Sequence, residues 1–409
     1  MFRAKAMLAT VSLSIVVLGF HSLNLEKNST SRAAAAPSVF VATTSSIEAI
    51  NADGSGLMRV APVDVSAGVQ PVLFPDGRLF FSTANSYATI SRSGKHNIVI
   101  APTLNVGESI WSVSGSPDRS TLGWQLFAPL QVNTYHLHQG QSRVVVTGPA
   151  GGSGTTVLTD QADSTAGGRV LTIIGWRTAS PFGSGGSTLL LQDLYSFNQP
   201  TSLLVPNTTR GLIEYDPSIG DIVNDYLPPT SLSEPGQRLF ALSADSSFIV
   251  YGDQNGLTPS GDGPLARELL VQNMVTHAST QLDIASRYPS SRVILLAPTK
   301  KTSIPLYEYF SHNAYISPDS KHVLYTVFTI SYPPGARLPR IDHQAMIVQA
   351  NGKNPTQVLT VDGQGAGWIN RSIAVIKEAD GLHTYNQTTG QTSLLVADPS
   401  ARFIGARAS

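Results

Sequence analysis

Apolar and polar positions alternate in short stretches along most of this chain, the period of β-strands. Clusters of Gly, Pro, Asn, Asp and Ser separate these stretches and predict turns. After the N-terminus no long run repeats its apolar residues at helical spacing. Residues 39–60 show the pattern in miniature, with strands predicted at Val39–Thr43, Ser46–Asn51 and Leu57–Val60. Between the last two, Asn51-Ala52-Asp53-Gly54-Ser55-Gly56 reads as a hairpin turn built from residues that tolerate positive φ.

A longer phrase then recurs, in which an apolar stretch runs into Pro-Asp or Ala-Asp, a small or polar residue, and another strand. It reads Leu73-Phe74-Pro75-Asp76-Gly77-Arg78-Leu79-Phe80-Phe81, then Gly115-Ser116-Pro117-Asp118-Arg119. It returns as Leu242-Ser243-Ala244-Asp245-Ser246 and Ile316-Ser317-Pro318-Asp319-Ser320. Self-similarity at a spacing of tens of residues marks a repeat architecture. Around Asp76, strands over Leu79–Ser82, Tyr87–Ser91 and Asn97–Ile100 fill a unit of about 40 residues, the size of a four-stranded propeller blade. The repeating aspartates read as turn-builders: Asp accepts bonds from backbone N–H groups just ahead of it, and Pro sets φ at the turn entry. Asp53, Asp76, Asp118, Asp245 and Asp319 are therefore expected to be structural.

The run Ile47-Glu48-Ala49-Ile50-Asn51-Ala52-Asp53-Gly54-Ser55-Gly56-Leu57-Met58-Arg59-Val60, followed by Phe74-Pro75-Asp76-Gly77, resembles the WD40-like repeat of TolB-type β-propellers. Two departures stand out: Gln349-Ala350-Asn351-Gly352-Lys353 lacks the turn's aspartate, and Gly367-Trp368-Ile369-Asn370-Arg371 stands where Ser-Pro-Asp is expected. The resemblance implies an all-β propeller of four-stranded blades, without TolB's separate N-terminal α/β domain. Blades are placed near 66–104, 105–147, 156–205, 236–284, 308–361 and 362–398. Residues 39–60 supply three strands of a seventh, and Arg402–Ala406 its fourth, closing the ring. The count is seven, with six or eight as alternatives. Residues 206–235 and 285–307 read as long loops, and Gly148–Gly154 as a flexible loop between blades.

Composition narrows the function classes. Net charge is zero and only 13% of residues are charged, so no basic surface is expected to neutralise a phosphate backbone, and nucleic acid is not an expected partner. The absence of cysteine removes disulfides, thiolate metal sites and a cysteine nucleophile. Such a chain is ordinary for a bacterial exported protein. Arg3 and Lys5 followed by the uncharged apolar stretch Ala6–Phe20 read as an export signal or signal anchor, with residues 37–409 forming the extracytoplasmic body. Any membrane contact is expected only through that N-terminal segment.

Chemistry is sparse. No Gly-x-Ser-x-Gly elbow is present, which argues against an attached α/β-hydrolase. Tyr135-His136-Leu137-His138 places two imidazoles on one strand face, yet no third ligand is evident, and His96, His322 and His383 are assigned to turns or edges. No catalytic residue, metal or cofactor is expected. The richest segment is Tyr307-Glu308-Tyr309-Phe310-Ser311-His312, ahead of the turn at Asp319. Placed before an innermost strand, Tyr307, Glu308, Tyr309 and His312 are the candidate ligand-binding residues near the central opening. Trp111, Trp124, Trp176 and Trp368 are assigned to the core between blades. The expected function is an exported, non-catalytic module that docks a protein or cell-envelope partner. The alternative is a lyase, glycan-active enzyme or ligand-binding propeller working at the central channel.

Overall fold

The computed structural model describes residues 39–407 except 63–68, 84–85, 130–139, 161–168, 179, 196–210, 228–237, 254–267, 285–290, 298–299, 335–339, 354–355 and 359–362. Pro37–Ser409 is one compact unit of antiparallel sheets, and the described residues contain no helix. The apolar N-terminal stretch and the pair His136/His138 lie outside the described residues.

Seven sheets form the blades of a β-propeller. Blade 1 joins Val39–Ala42, Ser46–Ile50 and Met58–Pro62 to the C-terminal strand Arg402–Ala406, which takes the innermost position beside Val39–Ala42. Blade 2 holds Val72–Leu73, Leu79–Ser82, Tyr87–Ile90 and His96–Val99, and blade 3 holds Ser109–Gly115, Leu122–Pro129, Gly140–Thr147 and Gly154–Asp160. Blade 4 holds Arg169–Arg177, Thr188–Tyr195, Gly211–Asp216 and Asp221–Leu227; blade 5 holds Arg238–Leu242, Phe248–Asp253, Glu268–Asn273 and Ser279–Ile284. Blade 6 has five strands, Ser291–Ala297, Lys300–Ile316, His322–Ser331, Arg340–Gln349 and Thr356–Gln357. Blade 7 holds Gln364–Trp368, Ile373–Glu378, Gly381–Asn386 and Gln391–Val396. The ring is thus closed by pairing the two ends of the body, which removes one open sheet edge.

Three expectations are corrected. Residues 206–235 are not a loop, because Gly211–Asp216 and Asp221–Leu227 complete blade 4. Residues 285–307 are not a loop either, since Ser291–Ala297 pairs with Lys300–Pro305 and lengthens blade 6 on the face opposite the Pro-Asp turns. Gly148–Gly154 turns within blade 3, not between blades, and it is clasped to the preceding blade: Ile100 N–H donates to Ala150 O at 2.9 Å and Gly152 N–H to Ile100 O at 2.8 Å. Gly151, at φ 77°, has no room for a side chain, because a Cβ there would stand 1.8 Å from Ile100 O.

The core is divided into seven apolar slices, each between two consecutive blades. Strand alternation drives this directly, since successive side chains point to opposite faces and both faces are covered. Leu79 and Phe81 pack toward blade 1 while Phe80 packs toward blade 3. Val144 and Val146 join the slice with blade 4, whereas Val145 joins the slice with blade 2. Several second and third strands therefore carry consecutive apolar residues, as in Leu79-Phe80-Phe81 and Val144-Val145-Val146.

The aspartate turns are built as the sequence predicts. Ser116 Oγ donates to Asp118 Oδ1 at 2.5 Å, Ser120 N–H donates to the same oxygen at 2.9 Å, and Thr121 N–H donates to Ser116 Oγ at 3.0 Å. The same ring of bonds recurs around Ser243/Asp245 and Ser317/Asp319. The residue after each aspartate turns left-handed: Gly77 at φ 82°, Arg119 at 66°, Ser246 at 57° and Ser320 at 58°. Blade 4 lacks the phrase, and its first turn is tied instead by Asp216, which accepts Ser184 N–H at 2.7 Å and Ser218 N–H at 2.8 Å.

These bonds set a pH dependence. Burial alone would raise the Asp216 and Asp118 carboxyls, but the donors around them outweigh it and hold each at about 2. Because the folded value lies below the ordinary one, the stabilisation is present above about pH 4 and is lost as pH falls toward 2. For the buried Asp216 the shift is equivalent to about 2 kcal/mol. Urea unfolding at pH 5 and pH 2.5 is expected to show a clear loss of stability at the lower pH. Asp216→Asn is expected to reduce that loss, and superimposable pH profiles for the two proteins would rule the account out.

Candidate functional site: the channel-lining strands

The inner strands stand side by side around the axis: Ser109–Gly115 against Arg169–Arg177, then Arg238–Leu242, Lys300–Ile316, Gln364–Trp368, Arg402–Ala406 and Val72–Leu73 in turn. Between the last of these and Ser109–Gly115, the Phe74 ring fills the space a Cβ on Gly115 would need, 2.5 Å away. Six inner strands carry a β-bulge against their second strand, and the bulges fall at a similar level. The extra residues are Trp111, Ile174, Phe240, Ser311–Asn313, Ala366 and Ile404. A bulge breaks alternation, bends the strand and re-aims a side chain. Its effect is plain in blade 3, where Ile110 and Val113 are buried on either side of the break and Trp111 is 40% exposed.

Trp111 therefore does not join the core between blades, which corrects the sequence expectation; Trp124, Trp176 and Trp368 are buried as expected. The Trp111 indole lies against Phe127 of the neighbouring strand, ring centroids 4.6 Å apart. The strand entrance below it is pinned by Glu108, which accepts Asn105 N–H at 2.6 Å and pairs with Arg143 at 2.6 Å. The result is a half-exposed aromatic side chain held on an inner strand.

Tyr307, Glu308, Tyr309 and His312 all lie on Lys300–Ile316, so they belong to the inner strand itself and do not precede it. Tyr307 pairs with Ile330, Glu308 with Thr329 and Tyr309 with Phe328, while His312 falls in the bulge. Their side chains lie outside the described residues. Strand register thus puts His312 and Trp111 at corresponding places on different blades.

Two clusters escaped the sequence reading. One is buried in blade 4 and takes one residue from each strand: Arg177, Thr188, Glu214 and Tyr226. Arg177 Nη1 lies 3.4 Å from Glu214 Oε2 and also donates to the Tyr226 hydroxyl; that hydroxyl and Thr188 Oγ1 each donate to the Glu214 carboxylate. Burial pushes the Tyr226 phenol far up, and its bond to Glu214 adds to the effect. Phe182 stands edge-on to Tyr226 at 6.2 Å, and His277 of blade 5 stacks on it at 5.6 Å. The group ties the strands of blade 4 and is buried. A charge inside Leu212-Ile213-Glu214-Tyr215 was a legible signal, masked by reading the segment as loop.

The second is on the hairpin joining Ile373–Glu378 to Gly381–Asn386. Among the described residues, Glu378, Asp380 and His383 are the one group of imidazole and carboxylate donors that converges, with ligand atoms within 4.8 Å of one another. His383 lies on a strand and not in a turn or edge loop.

No protein-family model and no curated protein matches this sequence. Among solved structures, the chain is similar to a protein assigned as TolB from Agrobacterium tumefaciens, at 12% identity over 80% of this chain and 92% of that one, with a TM-score of 0.38. It is similar to the oligogalacturonate lyase of Vibrio parahaemolyticus at 11% identity, covering 87% of this chain and 85% of that one, TM-score 0.43. An acylaminoacyl peptidase from Pyrococcus horikoshii matches at 10% identity over 86% of this chain and 47% of that one, TM-score 0.46. These proteins differ in activity, so the likeness is one of architecture. The chain is a seven-bladed β-propeller, the architecture that the repeat in its sequence implies.

Proposed function

We propose that this chain is an exported, non-catalytic propeller that docks a protein or cell-envelope partner over its central channel. The observation that carries the reading is Trp111, a large aromatic side chain held exposed by a bulge on an inner strand. The extra residues of three other bulges, Ile174, Ala366 and Ile404, pack against the slices between blades, so Trp111 stands out as the exposed one among the bulge side chains that are described. Apolar and aromatic contacts on a rigid frame suit an anchor side chain of a partner. Export follows from the N-terminal Arg3/Lys5 and Ala6–Phe20 pattern.

The test is affinity capture from cell-envelope extract with the full chain and with Trp111→Ala. A partner specific to the wild type is expected, with capture falling about tenfold or more in the variant, as loss of a hot-spot aromatic predicts. Thermal stability should change little, because the ring is already partly exposed. Equal capture by both proteins, or no protein partner alongside tight binding of an oligosaccharide, would overturn the proposal.

A further inference from the structure

We propose that Glu378, Asp380 and His383 form a binding site for a divalent transition-metal ion, with Zn2+ the best match, on the blade 7 hairpin. Register places the donors together: Ile376 pairs with His383 and Glu378 with Gly381. Glu378 and His383 therefore share one face of the hairpin, and Asp380 reaches them from its turn. His383 Nε2 lies 2.8 Å from Asp380 Oδ1 and 3.9 Å from Glu378 Oε2. Two ligand atoms on a tetrahedral zinc stand roughly 3.4 Å apart, given bonds of about 2.0–2.2 Å, so these separations bracket what the ion needs.

The donor chemistry is mixed. An imidazole nitrogen with two carboxylate oxygens suits zinc better than magnesium or calcium, which prefer oxygen alone. The Glu378 carboxylate stands within 4.8 Å of both the His383 and Asp380 donor atoms. Two like charges this close repel, and a cation between them removes the penalty. Lys377 Nζ donates to Pro399 O at 2.6 Å and Ala401 O at 2.9 Å, and its charge also favours the ionised Asp380 carboxylate. Asp380 is 66% exposed while Glu378 and His383 are 22% and 17% exposed, so an ion can enter from solvent onto a part-shielded floor. The chain has no cysteine to compete for the metal.

The experiment titrates ZnCl2 into the EDTA-stripped full chain, by calorimetry and by thermal melting. One saturable site is expected, with the melting temperature rising by about 2–4 °C at a hundredfold excess over Kd. MgCl2 is expected to have no effect. His383→Ala and Asp380→Asn should each weaken binding by at least roughly tenfold, with Glu378→Gln as the conservative third. All three should melt like the wild type in EDTA. A variant lacking His136 and His138 should bind zinc normally, separating this site from the other histidine pair. Absence of saturable binding at 1 mM zinc (on the order of the weakest useful affinity), or equal binding by wild type and the three variants, would overturn the proposal.

Discussion

Replacing Glu214 with alanine is expected to destabilise the protein by about 3–5 kcal/mol, the cost of leaving a buried charge without its partner. Arg177 is only 6% exposed and Glu214 not at all, so water cannot take over the lost contact. Thr188 and Tyr226 lose their acceptor in the same step. The penalty belongs to the broken pair and not to the pair as such. A double replacement, Arg177→Met with Glu214→Leu, fills similar volume without charge and is expected to recover the part of the loss due to the unpaired charge, while the Thr188 and Tyr226 hydroxyls still lack their acceptor. Urea unfolding midpoints of the two variants decide the matter. If the single variant unfolded within about 1 kcal/mol of the wild type, the cluster would not be holding blade 4 together.

Trp124→Ala is expected to cost a similar amount, about 3–5 kcal/mol, through the cavity it opens between blades 2 and 3. The indole is fully buried, edge-on to Phe80 at 5.9 Å and Tyr87 at 6.0 Å. Its Nε1–H donates to Thr147 Oγ1 at 2.9 Å, which links the slice to the third strand of its own blade. Trp124→Phe keeps a ring and should lose distinctly less. Denaturant melts of the pair, beside Trp111→Ala, give the contrast: the same residue type, one buried and one half exposed. Equal losses at the two tryptophans would contradict the packing described above.

Most of the architecture was legible because propeller blades repeat local signals. The turns at Asp76, Asp118, Asp245 and Asp319 use short-range bonds that depend only on residues within the same few positions. Blade 1 was legible for the same reason, from Asp53 and the strands around it. Blade 4 was not, because its first turn is tied by Asp216, a residue distant in sequence that replaces the missing phrase. The extra hairpin of blade 6 was missed because 285–307, with Lys300-Lys301, reads as a break in the rhythm, although Val293-Ile294-Leu295-Leu296 carried strand character.

The candidate site was legible only in part. Tyr307, Glu308, Tyr309 and His312 were expected ahead of an inner strand and lie on it, because Lys300–Ile316 begins well before the apolar stretch that leads into the Pro-Asp turn. Trp111 was misassigned because a bulge shifts the alternation by one residue, and a one-residue shift reverses which face a side chain takes. Glu378, Asp380 and His383 fell within a few positions of each other, but only the hairpin register shows that they share a face.

Taken alone, the sequence determined an all-β repeat fold, the identity of its turns and the pairing of the two ends of the body, all of which rest on period and on contacts between near neighbours. Tertiary structure decided which of the two interfaces each apolar residue enters, where strands bulge around the channel, and that Arg177 meets Glu214. Those outcomes depend on strand register and blade-to-blade packing, which sum over residues far apart in the chain and leave no local signature.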